Sequence, residues 1–474
     1  MLFNSLTFFV FLSITFILYY AFQDSRLYIL AAADIVFYGA AGFGYLLLFM
    51  LLSFITYLCA LKVGTRWGNL YFGLGVALNI INLVFFKYTG FILRNIENIT
   101  NLQLPWQNTL LSGIILPIGI SFYTFQFIAY LTDIRKGIAE PCKSLLTFWV
   151  FISFFAHSLA GPIMRANGLI PQIRKIREHR FDAEAFKFGV YYIILGLVKK
   201  VVFADYLAVK VDYYFKHIEA LNTLDAWFAA YLFAFQIYFD FSAYSEIAVG
   251  IGYLLGIRLD LNFKSPYISG SPAEFWKRWH ITLSEWIRDY VYIPLGGSRR
   301  GFSRQLGYLV TAMTLSGLWH GAAWTFVIWG LYHGILAAGH KVYARLLKRT
   351  GIIAFTTKNI YRVLAVFAFF QLANIGWVLF RAETFRDAVI MLYKMVTFTD
   401  VVFSPVYLLY FGFILVLYCF HVAEYIVRRD ARGSERFWTR HLPPYARAAV
   451  YTILLIIIVL SIKTEQSSFI YFQF

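Results

Sequence analysis

The chain is dominated by long apolar runs separated by short charged loops. Of its 474 residues, 60% are hydrophobic, 20% aromatic and only 14% charged. Apolar runs that approach twenty residues have the length a helix needs to cross a bilayer. The runs lie at about 3–22, 27–40, 43–62, 70–87, 110–131, 144–163, 185–204, 225–256, 315–334, 360–380, 402–427 and 448–462. The sequence therefore predicts an all-α polytopic membrane protein, folded as a single domain over residues 1–474, without an internal repeat.

The charge of the chain is strongly basic, with a formal net charge of +17. The basic residues gather in short loops, where positive-inside topology and anionic lipid headgroups account for them without nucleic acid. The most basic loop, at about 428–447, is predicted to be cytoplasmic, which places the C-terminus outside the cytoplasm. The first run has neither a basic segment before it nor a cleavage site after it, so we expect a retained helix.

Signatures of metal or cofactor binding are absent from the sequence. Cys59, Cys142 and Cys419 have unrelated spacings, which gives neither a disulfide framework nor a metal site. There is no His/Glu cluster with ligand spacing, no phosphate-binding glycine loop and no Gly-x-Ser-x-Gly elbow. We expect no metal and no tightly bound cofactor.

The apolar run 315–334 contains two histidines, His320 and His333. A titratable side chain at bilayer depth is costly, so it usually faces a cavity or a polar partner and marks function. If one helix carried both, the imidazoles would lie about 20 Å apart on largely opposite faces, so they would not act as a pair. The alternative is that each imidazole simply hydrogen-bonds a neighbouring helix.

The surroundings of His320 favour it over His333 as the functional residue. Gly317 and Gly321 flank it and would let another backbone, or a substrate, come close. Trp319 and Trp324 are candidates for the wall of a pocket.

Two other runs carry polar residues that we expect to line a polar tunnel. The run 110–131 holds Ser121 and Gln126 after a proline and a glycine, a pattern that predicts a kinked helix beside a cavity. The run 225–256 holds Asp240 and Tyr244, which are four residues apart and share one helical face. Ordinary interhelical hydrogen bonding is the alternative for each of these residues.

The segment 275–290 is apolar and aromatic but too charged to span lipid unaided. We expect an interfacial or re-entrant helix on the cytoplasmic side. It contains His280, for which a packed or interfacial role is the alternative to a functional one. Four residues that could line the donor path precede it: Trp276, Lys277, Arg278 and Trp279.

These segments together resemble the membrane-bound O-acyltransferase (MBOAT) family, and within it the bacterial alginate O-acetyltransferase type. The resemblance covers essentially the whole chain. It rests on the start Phe3-Asn4-Ser5 and on four further blocks: Gly119-Ile120-Ser121-Phe122, Tyr238-Phe239-Asp240-Phe241-Ser242, Trp276-Lys277-Arg278-Trp279-His280 and Leu318-Trp319-His320-Gly321. The ending Phe469-Ile470-Tyr471-Phe472-Gln473-Phe474 is similar to an aromatic motif proposed as an acyl relay in cell-envelope members. An interfacial aromatic anchor is the alternative for this tail.

The resemblance implies a ring of tilted transmembrane helices around a central tunnel or funnel in the bacterial inner membrane. It implies acetyl-CoA, or another acyl thioester, as a cytoplasmic co-substrate. His320 would be the general base, His280 the second motif histidine and Tyr471 an acyl carrier. An extracytoplasmic acetyl-esterase-like or transferase partner would pass the group to a polysaccharide.

Several functions stay open at this point. The polymer could be alginate, cellulose, another exopolysaccharide or peptidoglycan. D-alanyl transfer to teichoic acid is the nearest alternative chemistry. A transporter or flippase would more often show repeat symmetry and paired broken helices. A structural subunit of an export complex would have no need of His320.

Overall fold

The computed structural model describes residues 1–101, 111, 113–350, 358–398, 400–428, 443–461 and 469–470. Within these ranges the regular structure is helical, without a strand. The all-α prediction is therefore confirmed. The described chain forms two compact units: residues 1–196 with 244–261, and residues 197–243 with 262–470.

The first unit contains α-helices of 9 to 20 residues. They are Leu6–Ala21, Arg26–Gly39, Phe43–Lys62, Gly68–Leu83, Thr89–Thr100, Ile120–Arg135, Leu145–Ser153, Ala166–Arg174 and most of Ala183–Leu197. A π-helical turn, Val84–Tyr88, joins two of them into one long rod.

The second unit holds the longer apolar helices and a group of short ones. Its helices are Asp205–Lys216, Pro272–Phe275, Ile281–Ile287, Ile293–Leu295, Phe302–His320, Trp324–Thr350, Asn359–Arg381, Phe385–Thr397, Val406–Arg428 and Pro444–Ser461, with the first part of Thr223–Leu254. The last part of that helix belongs to the first unit. A π-helical segment, Val198–Ala204, precedes Asp205–Lys216.

Five helices of the described chain are long and apolar enough to cross a membrane: Phe43–Lys62, Gly68–Thr100, Asn359–Arg381, Val406–Val427 and Pro444–Ser461. A bent pair, Leu6–Ala21 with Gln23–Gly39, makes a sixth candidate, broken by 117°. These helices expose large apolar side chains, among them Leu408 at 80% and Leu460 at 80%. Such surfaces are stable against lipid and not against water, which supports a multi-pass membrane protein.

Two predicted helices begin or end elsewhere in the structure. The run 110–131 is not one kinked helix, because residues 114–119 are not helical and the helix starts at Ile120. Gly119 adopts a φ of +76°, which favours glycine, and it therefore breaks the run instead of bending it. The run 144–163 is helical only over Leu145–Ser153.

Two segments predicted as continuous helices are also broken, and both breaks carry a motif histidine. The segment 275–290 is divided into Pro272–Phe275 and Ile281–Ile287, with His280 between them. The run 315–334 is divided into Phe302–His320 and Trp324–Thr350. At a break the chain changes direction, so the positions of His280 and His320 do not follow the spacing of one continuous helix.

Candidate functional site

Close packing of two helices of the second unit fixes the position of His320. A Cβ on Gly317 would lie 2.2 Å from the Phe326 carbonyl oxygen, and one on Gly330 would lie 2.4 Å from the Met313 carbonyl oxygen. Helices Phe302–His320 and Trp324–Thr350 therefore touch backbone to backbone, as small residues allow. The expectation that Gly317 lets a backbone come close is met.

His320 is the last residue of its helix, and its imidazole is buried among aromatic rings. The ring centroids of Trp319, Trp329 and Phe380 lie 4.9, 5.1 and 5.5 Å from that of His320. Trp324 lies at the start of the next helix and is 56% exposed. The indoles that surround His320 thus belong to Trp319, a predicted wall residue, and to Trp329, which was not predicted from the sequence.

His280 contacts His320 directly, with ring centroids 6.3 Å apart. Its backbone has a φ of +42°, a conformation that costs energy for a residue with a side chain and often occurs at functional sites. Asn262 holds the turn, because its carbonyl accepts from the Ile281 N–H at 3.0 Å and its side-chain oxygen accepts from the Thr282 hydroxyl at 2.7 Å. The two histidines come from motifs forty residues apart and meet in the fold.

The His280 ring is fully buried. Burial lowers the pKa of His280 to about 3, so its imidazole is neutral near pH 7. A neutral imidazole carries one hydrogen-bond donor and one acceptor, which suits it to orient a substrate or a second imidazole.

His333 lies in the same aromatic group and contacts the same indole, that of Trp329, as His320 does. Its ring centroid is 4.9 Å from that of Trp329 and 5.3 Å from that of Trp276. The expected separation of about 20 Å on one helix does not apply, because the helix breaks after His320. One indole therefore contacts both imidazoles.

The aromatic group contains buried polar atoms that make no hydrogen bond within the described part of the chain. They are the indole nitrogens of Trp276, Trp279, Trp329 and Trp377 and both ring nitrogens of His333. Buried donors of this kind are normally satisfied, by protein, by water or by a bound polar molecule. The group is therefore suited to receive a substrate carbonyl or hydroxyl.

A cavity of about 670 Å³ adjoins this group and shares Trp276 with it. Ala312, Met313 and Ser316, from the helix that ends in His320, are among its lining residues. Its size is in the range of small-molecule sites. Basic side chains also line it: Lys277, Arg288, His340, Lys341, Arg345 and Lys348. An apolar cavity with a basic margin is suited to an elongated ligand that carries phosphates.

Arg278 and Trp279 make structural contacts and are not among the lining residues of this cavity. Arg278 pairs with Glu274 at 3.1 Å and donates to the Lys264 carbonyl at 3.1 Å, which braces the turn before His280. Trp279 is fully buried against Trp377, with ring centroids 4.7 Å apart.

Asp240 is buried and partnered within the second unit. Lys200 Nζ lies 2.6 Å from its Oδ1, and the Ile470 N–H donates to its Oδ2 at 2.7 Å. Lys200 also pairs with Asp205 at 2.9 Å. Asp240 therefore has two partners in the second unit, the Lys200 side chain and the main chain of the C-terminal tail.

A second buried ion pair joins Lys199 to Glu424, whose carboxylate also accepts from the Tyr238 hydroxyl. None of Lys199, Lys200 and Glu424 is predicted as a site residue from the sequence. The available signal was the presence of charged residues inside the apolar runs 185–204 and 402–427.

The remaining expected tunnel residues belong to the first unit. The Ser121 hydroxyl accepts from Lys87 Nζ at 3.3 Å, and Gln126 Nε2 lies 3.3 Å from His157 Nδ1. Tyr244 stacks on Phe3, with ring centroids 4.4 Å apart. Tyr471 lies outside the described residues. Among the described residues no group of three or more His, Cys, Asp or Glu side chains could hold a metal ion.

Comparison with known proteins identifies relatives of this chain. The profile of the MBOAT, membrane-bound O-acyltransferase family matches residues 142–379, which include both motif histidines. The chain is 33% identical to the probable alginate O-acetylase AlgI of Pseudomonas syringae pv. tomato over 100% of both chains. It is 38% identical to the protein of the same name in Pseudomonas putida, over 84% of this chain and 81% of the relative.

A third relative has a different named acceptor. The peptidoglycan O-acetyltransferase of Helicobacter pylori is 35% identical over 84% of this chain and 80% of its own length. Full-length similarity together with the matched family profile confirms the resemblance drawn from the sequence motifs. The chain belongs to the membrane-bound O-acyltransferase family and is an O-acyltransferase of the membrane.

Proposed function

We propose that this enzyme moves an acetyl group from a cytoplasmic thioester, acetyl-CoA, to hydroxyls of an extracytoplasmic polysaccharide. The observation that carries the proposal is the contact of His320 with His280 inside an aromatic group that adjoins a cavity with a basic margin. The named acceptors of the relatives, alginate and peptidoglycan, support a polysaccharide of the bacterial envelope.

In the proposed reaction, His320 accepts the proton of an acceptor hydroxyl while that oxygen attacks the thioester carbonyl carbon. The carbon–sulfur bond breaks, and the leaving thiolate takes the proton from the imidazolium. The buried indole N–H of Trp329 is a donor for the carbonyl oxygen, on which negative charge develops. Exclusion of water by the aromatic walls limits hydrolysis of the thioester.

The acyl group then has to leave the membrane on the far side. In the proposed route, Tyr471 is the first acceptor and an extracytoplasmic acetyl-esterase-like or transferase partner passes the group to the polymer. Direct transfer to such a partner or to the glycan is the competing route. The proposed location is the bacterial inner membrane, with the C-terminus outside the cytoplasm.

The proposal is tested by supplying cells with labelled acetate or labelled D-alanine, with the gene deleted and then restored. We expect labelled acetate in the exported polysaccharide to fall to background on deletion and to return on restoration, with D-alanine incorporation unchanged. Loss of D-alanine from the envelope in place of acetate would contradict acetyl transfer. Unchanged labelling by both would contradict acyl transfer to an envelope polymer.

A His280→Asn enzyme should bind its donor more weakly and keep most of its turnover at saturating acetyl-CoA. Asparagine tolerates the left-handed backbone at this position, so the fold should survive. Measuring kcat and KM for acetyl-CoA separately decides the role. Loss of all turnover at saturating donor would make His280 catalytic.

A Lys341→Gln/Lys348→Gln enzyme should have a KM for acetyl-CoA raised by about fivefold to tenfold, because exposed charge pairs contribute up to about 1 kcal/mol each. Both lysines line the cavity. The raised KM should depend less on ionic strength than that of the wild type. Arg349→Gln, one residue beyond Lys348 and outside the cavity lining, is the matched control. An equal effect of the control would exclude a specific phosphate site.

A further inference from the structure

The last described residues of the chain are buried inside the second unit. Phe469 is 1% exposed and Ile470 is 5% exposed. Chain ends are usually poorly ordered unless specific contacts hold them. Here the Ile470 N–H donates to Asp240 at 2.7 Å, and Lys200 Nζ lies 4.3 Å from the centroid of the Phe469 ring.

The two carboxylate oxygens of Asp240 have different partners. Oδ1 of Asp240 faces Lys200, and Oδ2 faces the main chain of the tail. Burying an ion pair is costly, and its stability depends on further hydrogen bonds to the remaining lone pairs. The tail supplies one of these bonds. Lys200 comes from the π-helical segment Val198–Ala204, a distortion that is frequent at functional sites.

The helix that carries Asp240 also contacts one of the two motif histidines. Phe241 follows Asp240, and its ring centroid lies 4.7 Å from that of His280. His280 in turn contacts His320. The residue that binds Ile470 is therefore adjacent in sequence to one that packs on the site.

We propose that the Lys200–Asp240 pair is a binding site for the C-terminal tail at Phe469 and Ile470 and positions the tail for acyl transfer. Asp240 is then a positioning residue: its carboxylate orients the main chain one residue before Tyr471. This role rests on the proposed function, in which the tail accepts the acyl group.

The test is an Asp240→Leu variant of the full-length protein in detergent. Leucine has a similar size and cannot accept the Ile470 N–H. Lys200 keeps Asp205 as a partner, so no buried charge is left uncompensated. Hydrogen exchange of the Ile470 amide, resolved by mass spectrometry, should accelerate at least about tenfold, because a hydrogen bond to a charged acceptor is lost. Acetylation of the polymer should fall at least about tenfold while the affinity for acetyl-CoA is unchanged.

Glu424→Gln is the matched control, since it alters the neighbouring buried ion pair with Lys199. In Glu424→Gln the Ile470 amide should exchange as in the wild type. In both variants, hydrogen exchange in helix Phe302–His320 should be unchanged, which would show that the fold is intact. Unchanged exchange at Ile470 in Asp240→Leu would overturn the binding site. Faster exchange with full polymer acetylation would overturn the positioning role. A wild-type enzyme that neither binds acetyl-CoA nor acetylates a polymer would refute the proposed function instead, and the exchange rates would still decide whether Asp240 binds the tail.

Discussion

A His320→Ala enzyme should accumulate in the membrane as the wild type does and should acetylate the polymer at least about a hundredfold more slowly, because a general base is removed. The His320 imidazole lies at a helix end, in contact with His280 and two indoles. Because the helix ends at His320, alanine at this position should leave the helix intact. Labelled acetate in the exported polymer, divided by the amount of membrane-inserted protein, measures the effect.

Two further measurements separate chemistry from packing. Added imidazole should partly restore activity to His320→Ala, because a free base can occupy the space of the lost ring. His333→Ala removes a buried imidazole from the same aromatic group, where it also contacts Trp329, and should cost much less activity. Near-normal acetylation by a well-folded His320→Ala enzyme would refute the assignment. A larger loss in His333→Ala would transfer the role to that residue.

The sequence predicts the class of fold because the physical constraint is strong. A chain in a bilayer must satisfy its backbone hydrogen bonds internally, so long apolar runs become helices. Phe43–Lys62 and Val406–Arg428 follow their predicted runs closely. Periodicity alone does not give the breaks, because each depends on particular contacts at the break. A Cβ on Gly321 would lie 2.1 Å from the Phe326 ring, and Asn262 holds the turn at Ile281.

The composition of the site was only partly predictable for the same reason. The two motif histidines are visible as titratable residues in apolar surroundings, yet their contact depends on two helix breaks. The partners of Asp240 are a lysine in one apolar run and a main-chain N–H at the end of the chain. Neither could be paired with it from spacing, because both contacts are long-range. The charged residues inside apolar runs were the signal, and their pairing is a property of the fold.

A Tyr471→Phe enzyme should fold and bind acetyl-CoA normally and should lose transfer to the polymer as completely as His320→Ala. The donor is expected inside and the acceptor outside, so a carrier has to cross between them. Tyr471 is ten positions after Ser461, which is enough for about 30–35 Å of extended chain. The phenolic oxygen would attack the thioester carbonyl and form a phenyl ester as the thiol leaves; the polymer hydroxyl would then displace the phenol. Mass spectrometry of the C-terminal peptide after incubation with acetyl-CoA should show an acetyl group on Tyr471.

The burial of Phe469 and Ile470 supports this carrier over a surface anchor, because an anchor at the membrane interface has no need of a buried carboxylate for its main chain. Acetylation of Tyr471 should therefore require His320, and it should fall in the Asp240→Leu variant as well. Tyr445→Phe removes another phenol near the C-terminus, on a side chain that is 78% exposed, and should leave transfer unchanged. If Tyr471→Phe acetylates the polymer fully, the acyl group passes directly to the partner or the glycan, and the tail only packs against the enzyme.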